Sequence, residues 1–239
     1  MPSVTLDGVR IAYTLSGTGP VLVVPEANVG WAAYGLTGLA ERFTVVTVSP
    51  RGFMGSGRLA AEDYSAGQIS SDIERVLDHL GIGWYALLGY SLNGAVASYL
   101  ALANPRVQAV ACGGFPTTAS LAGFAESRRR QLVERQRDPE LWAETLAALD
   151  PAALMAFFDT VDALSAGELV AGLDCPVWSW WGGDDPLFEP FGGVEAHRAA
   201  IERLGLPYLE LPGLDHDQAL TQSGRLLPDL ADWLESVVR

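Results

Sequence analysis

Residues 84–100, Trp-Tyr-Ala-Leu-Leu-Gly-Tyr-Ser-Leu-Asn-Gly-Ala-Val-Ala-Ser-Tyr-Leu, contain no charged side chain. Residues 84–88 form an apolar run of strand length, and the uncharged residues 93–102 read as a helix. A helix so poor in polar groups must be packed from several sides. This strand–turn–helix therefore belongs in the middle of a large core. Ser91 falls at the turn, where a strand end can project a nucleophile toward the positive end of the following helix. The competing reading is a polar cap on a buried helix.

On either side of this segment the chain alternates short apolar strands with helices. Residues 4–13 read as a hairpin turning at Asp7-Gly8. Strands follow at 21–24 and 44–48, with a helix expected over 31–39. Ser65 and Gln68 have the spacing of a capping box, and Ile69, Ile73, Val76, Leu77 and Leu80 then form one apolar stripe. Residues 107–113 supply the strand after the Ser91 helix. From 117 to 172 the pattern is helical: 120–136, then helices opened by Asp138-Pro139 and Asp150-Pro151, then a fourth candidate over 165–171. Strands return at 176–181 and 207–211, a helix is expected over 194–204, and an amphipathic helix carrying Leu226, Leu227, Leu230, Trp233 and Leu234 ends the pattern. This rhythm describes an α/β protein with an open, mostly parallel sheet covered on both faces. Residues 1–116 and 173–239 are expected to form one core, with 117–172 inserted as a helical lid.

Acidic residues outnumber basic ones by 29 to 15, giving a formal charge of −14, so a nucleic-acid partner is not expected. All the basic residues are arginines, which excludes lysine-based covalent or general-base chemistry. Cys112 and Cys175 sit in apolar surroundings without CxxC spacing, and no His/Cys/acid cluster has ligand spacing; neither metal nor cofactor is expected. The absence of a basic hydrophobic leader or an 18-residue apolar run leads to the expectation of a soluble, cytoplasmic protein without membrane contact.

A serine nucleophile needs a base. Of the three histidines, His79 lies in the last turn of a helix and His197 reads as a solvated residue beside Glu195 and Arg198. His216 lies on a loop just past a strand, and loops beyond the carboxyl ends of parallel strands converge over one crevice. A carboxylate must then hold the imidazole in its productive tautomer. Gly182-Gly183-Asp184-Asp185-Pro186 offers two acids; Asp185 is preferred because Pro186 fixes the turn behind it, with Asp184 as the alternative. Asp215 and Asp217 flank His216 and are weaker candidates.

These elements together resemble the α/β-hydrolase superfamily over essentially the whole chain. The resemblance is strongest to small-lid members described as carboxylesterases, carbon–carbon bond hydrolases and cofactor-free haloperoxidase or perhydrolase relatives. Residues 89–94 match the nucleophile elbow, 51–56 the loop after the fourth strand, 182–186 the acid turn and 213–216 the histidine loop. The order Ser91, Asp185, His216 is the nucleophile–acid–histidine order of that fold. The resemblance implies an eight-stranded sheet and an oxyanion site made by the backbone N–H groups of Ala27 and Leu92. A serine at 91 is unlike the branches with a carboxylate nucleophile. The chain departs from the family pattern in three places. Pro25-Glu26 replaces His-Gly, Asn93 stands where glycine is commoner, and Met54 replaces a glycine.

The expected chemistry is hydrolysis of a small or medium carboxylic ester, lactone or related carbonyl compound through an acyl-enzyme. The alternatives are a non-hydrolytic lyase or cyclase, or a carbon–carbon bond hydrolase, on the same fold, and a catalytically silent binding protein. Glu26 alone supports the lyase or cyclase. It is expected to face the oxyanion site, to serve as an acid or base in another reaction, or to turn outward and pair with Arg51. Glu26, Phe53, Tyr90, Phe115, Trp142, Met155, Phe157 and Phe158 are the expected pocket residues. Arg128, Arg129, Arg130, Arg135 and Arg137 could guide an anionic substrate or acidic carrier, or simply form a solvated helix face. The expected partners are a small carbonyl substrate and, as candidate assembly, a homodimer.

Overall fold

Asp7 and Gly8 both take left-handed backbone (φ 52° and 81°), the conformation that a two-residue hairpin between twisted strands requires, and join β1 (Ser3–Leu6) to β2 (Val9–Ser16). The computed structural model describes residues 1–102, 104–120, 122–164 and 169–238, with only the backbone described at 66, 160, 163 and 164. β3 (Val21–Pro25), β4 (Thr44–Ser49), β5 (Tyr85–Tyr90), β6 (Val107–Gly113), β7 (Val177–Gly182) and β8 (Tyr208–Leu211) complete one sheet. Its order is β1-β2-β4-β3-β5-β6-β7-β8, with β2 antiparallel to both neighbours and every later pairing parallel. The order reverses direction between β4 and β5, so the loops after β3 and β5 open side by side at the carboxyl edge.

Alternate residues of each buried strand feed opposite faces. Leu87 joins one core with α1 (Ala66–His79) and α2 (Leu92–Ala101), while Ala86 and Leu88 join another with the C-terminal helices. Between β6 and β7 lie α3 (Phe124–Arg135), α4 (Pro139–Ala148) and α5 (Pro151–Leu164). Phe124, Phe157 and Phe158 tie these helices into the α1/α2 core. A bridge from Phe53 to Leu149 and a 2.6 Å hydrogen bond from Met54 N–H to Ala148 C=O hold them to the loop after β4. Asp138 caps α4 as expected, accepting from Glu140 and Leu141 N–H.

The segment 31–39 is not one helix. It forms two 3-10 turns, Trp31–Tyr34 and Thr37–Glu41, because Gly35 adopts φ 64° between them. That left-handed residue also lets the turn approach Thr221, whose carbonyl would lie 3.1 Å from a Cβ at 35. Trp84 precedes β5 and is 61% exposed rather than part of the buried strand. α3 begins at Phe124, not 120, after Gly123 turns the chain with φ 80°. Most of the fourth expected lid helix lies outside the described residues; Val170–Gly172 forms a 3-10 turn. α6 (Gly193–Arg203), α7 (His216–Thr221) and α8 (Leu227–Val237) follow. Leu226, Leu230 and Leu234 are fully buried against the sheet. Among the described residues no helix is long and apolar enough to cross a membrane.

Candidate active site

Ser91 sits between β5 and α2 with φ 56° and ψ −122°, a conformation that a residue with a Cβ adopts only under constraint. Its N–H donates to Gly113 C=O (2.8 Å) and its carbonyl accepts from Ala95 N–H (3.0 Å). Two glycines permit the sharp turn. A Cβ at Gly89 would lie 2.3 Å from Asn93 O, and one at Gly94 would lie 2.9 Å from Cys112 Sγ. Leu92 opens α2, where backbone N–H groups lack partners within the helix.

Asp185 and His216 come from the loops after the neighbouring strands β7 and β8. These loops pack backbone to backbone: Gly183 N–H donates to Leu211 C=O (2.9 Å) and Asp184 N–H to Leu214 C=O (3.0 Å). Gly182 makes the contact possible, since a Cβ there would lie 2.2 Å from Leu214 O. Asp185 is 2% exposed. Its Oδ1 accepts from Leu187 N–H (2.9 Å) and its Oδ2 lies 2.7 Å from His216 Nδ1. Asp184 is exposed. Asp215 caps α7, accepting from Gln218 N–H (2.9 Å). Tyr90 donates its hydroxyl to His216 C=O (2.8 Å) and lays its ring 5.0 Å from the imidazole, which steadies the histidine loop from below. Burial first, and the Asp185 charge second, raise the Tyr90 phenol pKa, so it remains a donor.

Ser91, Leu92 and His216 open onto one cavity of about 450 Å³, a size that suits a small ligand. Of the residues named from the sequence as pocket residues, Tyr90, Phe115 and Phe158 line it; Glu26, Phe53, Trp142, Met155 and Phe157 do not. Phe53 and Phe157 are buried in the core (1% and 0% exposed), where Phe157 meets Tyr99 edge to face. Met155 packs against the same core, and Trp142 is half-buried on α4.

Glu26 does not face the cavity, nor does it pair with Arg51. Its Oε1 accepts from Trp31 N–H (2.6 Å) and its Oε2 from the Ser49 hydroxyl (3.4 Å), closing the loop after β3. Arg51 is held by Asp72, which accepts from both its guanidinium (2.6 Å) and its N–H (2.9 Å). Ala27 is likewise corrected. It is fully buried, and its N–H donates to Asn93 Oδ1 (2.8 Å), so that donor is already engaged. Asn28 and Val29 are the residues of this loop that line the cavity, and Asn28 Oδ1 is buried there with no partner.

His197 is not solvated. It is 4% exposed between Trp181 and Phe188, with Nδ1 2.7 Å from Thr118 Oγ1, and burial pushes its pKa down to about 4. His79 is exposed, as expected. Burial pushes the Cys112 and Cys175 thiols up to about 12 and about 11, which leaves them as protonated packing groups. No cluster of three or more His, Cys, Asp or Glu with metal-binding geometry occurs among the described residues.

The arginine cluster divides. Arg130 and Arg137 are exposed and Arg129 forms a surface pair with Asp159, while Arg128 and Arg135 line the cavity. Phe124, Gln131 and Leu132 line it beside them. The positions 124, 128, 131, 132 and 135 recur at intervals of three and four along α3, a helical face that periodicity alone could have separated from 129, 130 and 137.

A mostly parallel sheet with a strained serine after its fifth strand, and an acid and a histidine after its last two, defines a class of protein. The chain belongs to the alpha/beta hydrolase fold family, whose sequence model matches residues 20–154. Among curated proteins it is similar to "Putative carbamate hydrolase RutD" of Escherichia coli, at 35% identity over 89 residues, 36% of this chain. That match spans about a third (34%) of the relative's length. The structure is similar to a thermophilic esterase from Thermogutta terrifontis (TM-score 0.74, 20% identity, covering 100% and 99% of the two chains). It is also similar to the enol-lactonase from Burkholderia xenovorans (TM-score 0.68, 18% identity, covering 98% and 100%). At these identities the likeness concerns the fold.

Proposed function

We propose that the protein is a serine hydrolase acting on a small carboxylic ester or related carbonyl compound. The observation that carries this is the 2.7 Å Asp185–His216 contact at the mouth of a cavity shared with the strained Ser91. In the proposed reaction His216 Nε2 takes the Ser91 Oγ proton as Oγ bonds the substrate carbonyl carbon. The Leu92 N–H and the Asn28 side-chain NH2 stabilise the oxyanion, the Asn28 backbone N–H being directed, like that of Ala27, at Asn93 Oδ1 (3.4 Å). Collapse of the adduct breaks the bond to the leaving oxygen, which receives the proton from His216. Water then adds to the acyl-enzyme by the same route and releases the acid with Ser91 restored. Asp185 keeps the Nδ1 proton in place and stabilises the imidazolium. The lid expected within 117–172 is carried by α3, α4 and α5, whose residues line the cavity. Esters, enol-lactones and carbamates, the compound classes in the names of the similar proteins, all present such a carbonyl.

The lyase or cyclase alternative rested on Glu26, whose carboxylate is occupied by Trp31 and Ser49 away from the cavity. To test the hydrolase assignment, wild type and variants are treated with a fluorophosphonate and assayed on short-chain esters. Wild type should label at Ser91. S91A and H216A should lose at least ~10³-fold in kcat, D185N should be strongly impaired and D184N nearly normal. Equal, small losses in all four would refute it.

A further inference from the structure

Arg128 occupies an electrostatic position that the fold leaves incomplete. Its side chain reaches from α3 into the cavity that contains Ser91 and His216. The guanidinium carbon lies 4.4 Å from the Phe124 ring centroid and 5.9 Å from that of Phe158, so aromatic faces flank the cation. One nitrogen donates to the neutral Gln131 Oε1 (2.6 Å), while Nε is buried without any hydrogen-bond partner. Among the described residues no carboxylate pairs with Arg128. Burial alone accounts for the lowering of its pKa, with no acidic group offsetting it.

The other charged groups of the cavity are accounted for. Arg135 donates from Nε to Thr145 Oγ1 (2.7 Å) and pairs with Glu144 at 3.8 Å. Asp217 lies beside His216 at the start of α7 and forms no ion pair with Arg128. In a chain of net charge −14, an arginine turned inward without an acid is a specific expense. Arg128 is half-buried, with Nε fully withdrawn from solvent; a partly desolvated cation without a counter-ion is completed best by a planar oxyanion accepting two of its N–H groups.

We propose that Arg128 is a substrate-binding residue for a carboxylate, so that the natural substrate is an ester or related carbonyl compound bearing a second, anionic carboxylate group. The inference builds on the assignment of Ser91 as nucleophile. The reacting carbonyl lies at Ser91 and the free carboxylate at Arg128, with Phe115, Phe124 and Phe158 enclosing the apolar chain between them. The cavity volume of about 450 Å³ accommodates a short diacid monoester.

The test compares monomethyl glutarate with methyl 4-carbamoylbutanoate, its neutral isostere, by pH-stat, and measures binding of glutarate by calorimetry. Wild type should favour the anionic ester in kcat/KM by on the order of 30-fold, the worth of one charge-assisted pair. R128Q should reduce that ratio to about threefold or less and weaken glutarate binding by a similar factor. R130Q, altering an exposed arginine of the same helix, should leave the ratio as in wild type. Wild-type turnover of both esters without anionic preference, and without glutarate binding, would overturn the carboxylate site and spare Ser91. Glutarate binding that R128Q abolishes, with neither ester hydrolysed and no fluorophosphonate label, would overturn Ser91 and leave the anion site standing. An unchanged ratio in a folded R128Q would also overturn the proposal.

Discussion

Asn93 spends both ends of its carboxamide on the loop that follows β3. Its Oδ1 accepts from Ala27 N–H, while its Nδ2 donates to Val29 C=O (2.8 Å) and to the Tyr34 hydroxyl (2.7 Å), which in turn accepts from Tyr90 N–H (3.1 Å). One side chain thus couples the serine turn to the cavity-lining loop at 28–29. The sequence showed that asparagine tolerates this turn; it did not show that the side chain would organise residues more than sixty positions away. N93A would strand the Ala27 N–H and the Val29 carbonyl, each costing about 1–3 kcal/mol when left unmade, while the Tyr34 hydroxyl keeps its bond from Tyr90 N–H. The expected outcome in urea unfolding is a loss on the order of 3 kcal/mol. If the loop orients the oxyanion donors, kcat on a neutral ester should fall more than KM rises. A stability loss below ~1 kcal/mol would show that water replaces the carboxamide without penalty.

The junction of β5 and α2 is the element on which the site depends, and its tolerance is set by backbone contacts. At Gly89 an added Cβ meets Asn93 O, Asn93 C and Gly94 N at 2.3, 2.4 and 2.6 Å, atoms that no rotamer change can move. G89A should therefore separate β5 from α2, lowering stability by more than ~3 kcal/mol. G67A places its methyl where nothing lies within 4 Å and should be neutral or stabilising by about 0.5–1 kcal/mol. Denaturation midpoints of the two variants check the contrast. Other elements differed from their sequence pattern for local reasons. The 31–39 segment has helical spacing, but Gly35 supplies a left-handed break where the chain must pass Thr221.

On the scale of the whole molecule, His197 joins α6 to β7 and to Thr118, and it is accommodated as a neutral ring. Its folded pKa of about 4 lies below the ordinary 6.5, so between these values the unfolded chain holds a proton that the folded one does not. Stability from this group is full above pH 6.5 and declines as pH falls toward 4. The span corresponds to on the order of 3 kcal/mol. Carboxylates titrate in the same window, so the readout is the difference between proteins. Unfolding free energies of wild type should fall more steeply from pH 7 to 4.5 than those of H197Q. Parallel profiles would mean that His197 charges freely in the folded state.

What the sequence determined by itself was the order of elements, because strand alternation, helical stripes and Gly or Pro punctuation are local properties. Val107–Gly113, the Asp7-Gly8 turn and the Asp138 cap all follow from patterns a few residues long. Chain order also singled out Asp185 and His216, which the structure brings to 2.7 Å. Only tertiary structure decided that Glu26 closes its own loop, that Asn93 engages Ala27, that His197 is buried and that Arg128 turns into the cavity. Each is a choice among polar partners made by long-range juxtaposition. A hydrogen bond depends on distances of a few tenths of an ångström between groups that share no local pattern. The α3 face was legible in part, since 124, 128, 131, 132 and 135 share a helical period. Which side of that helix would meet Ser91 depended on how α3 and α5 dock over the sheet, and no pattern within α3 encodes that.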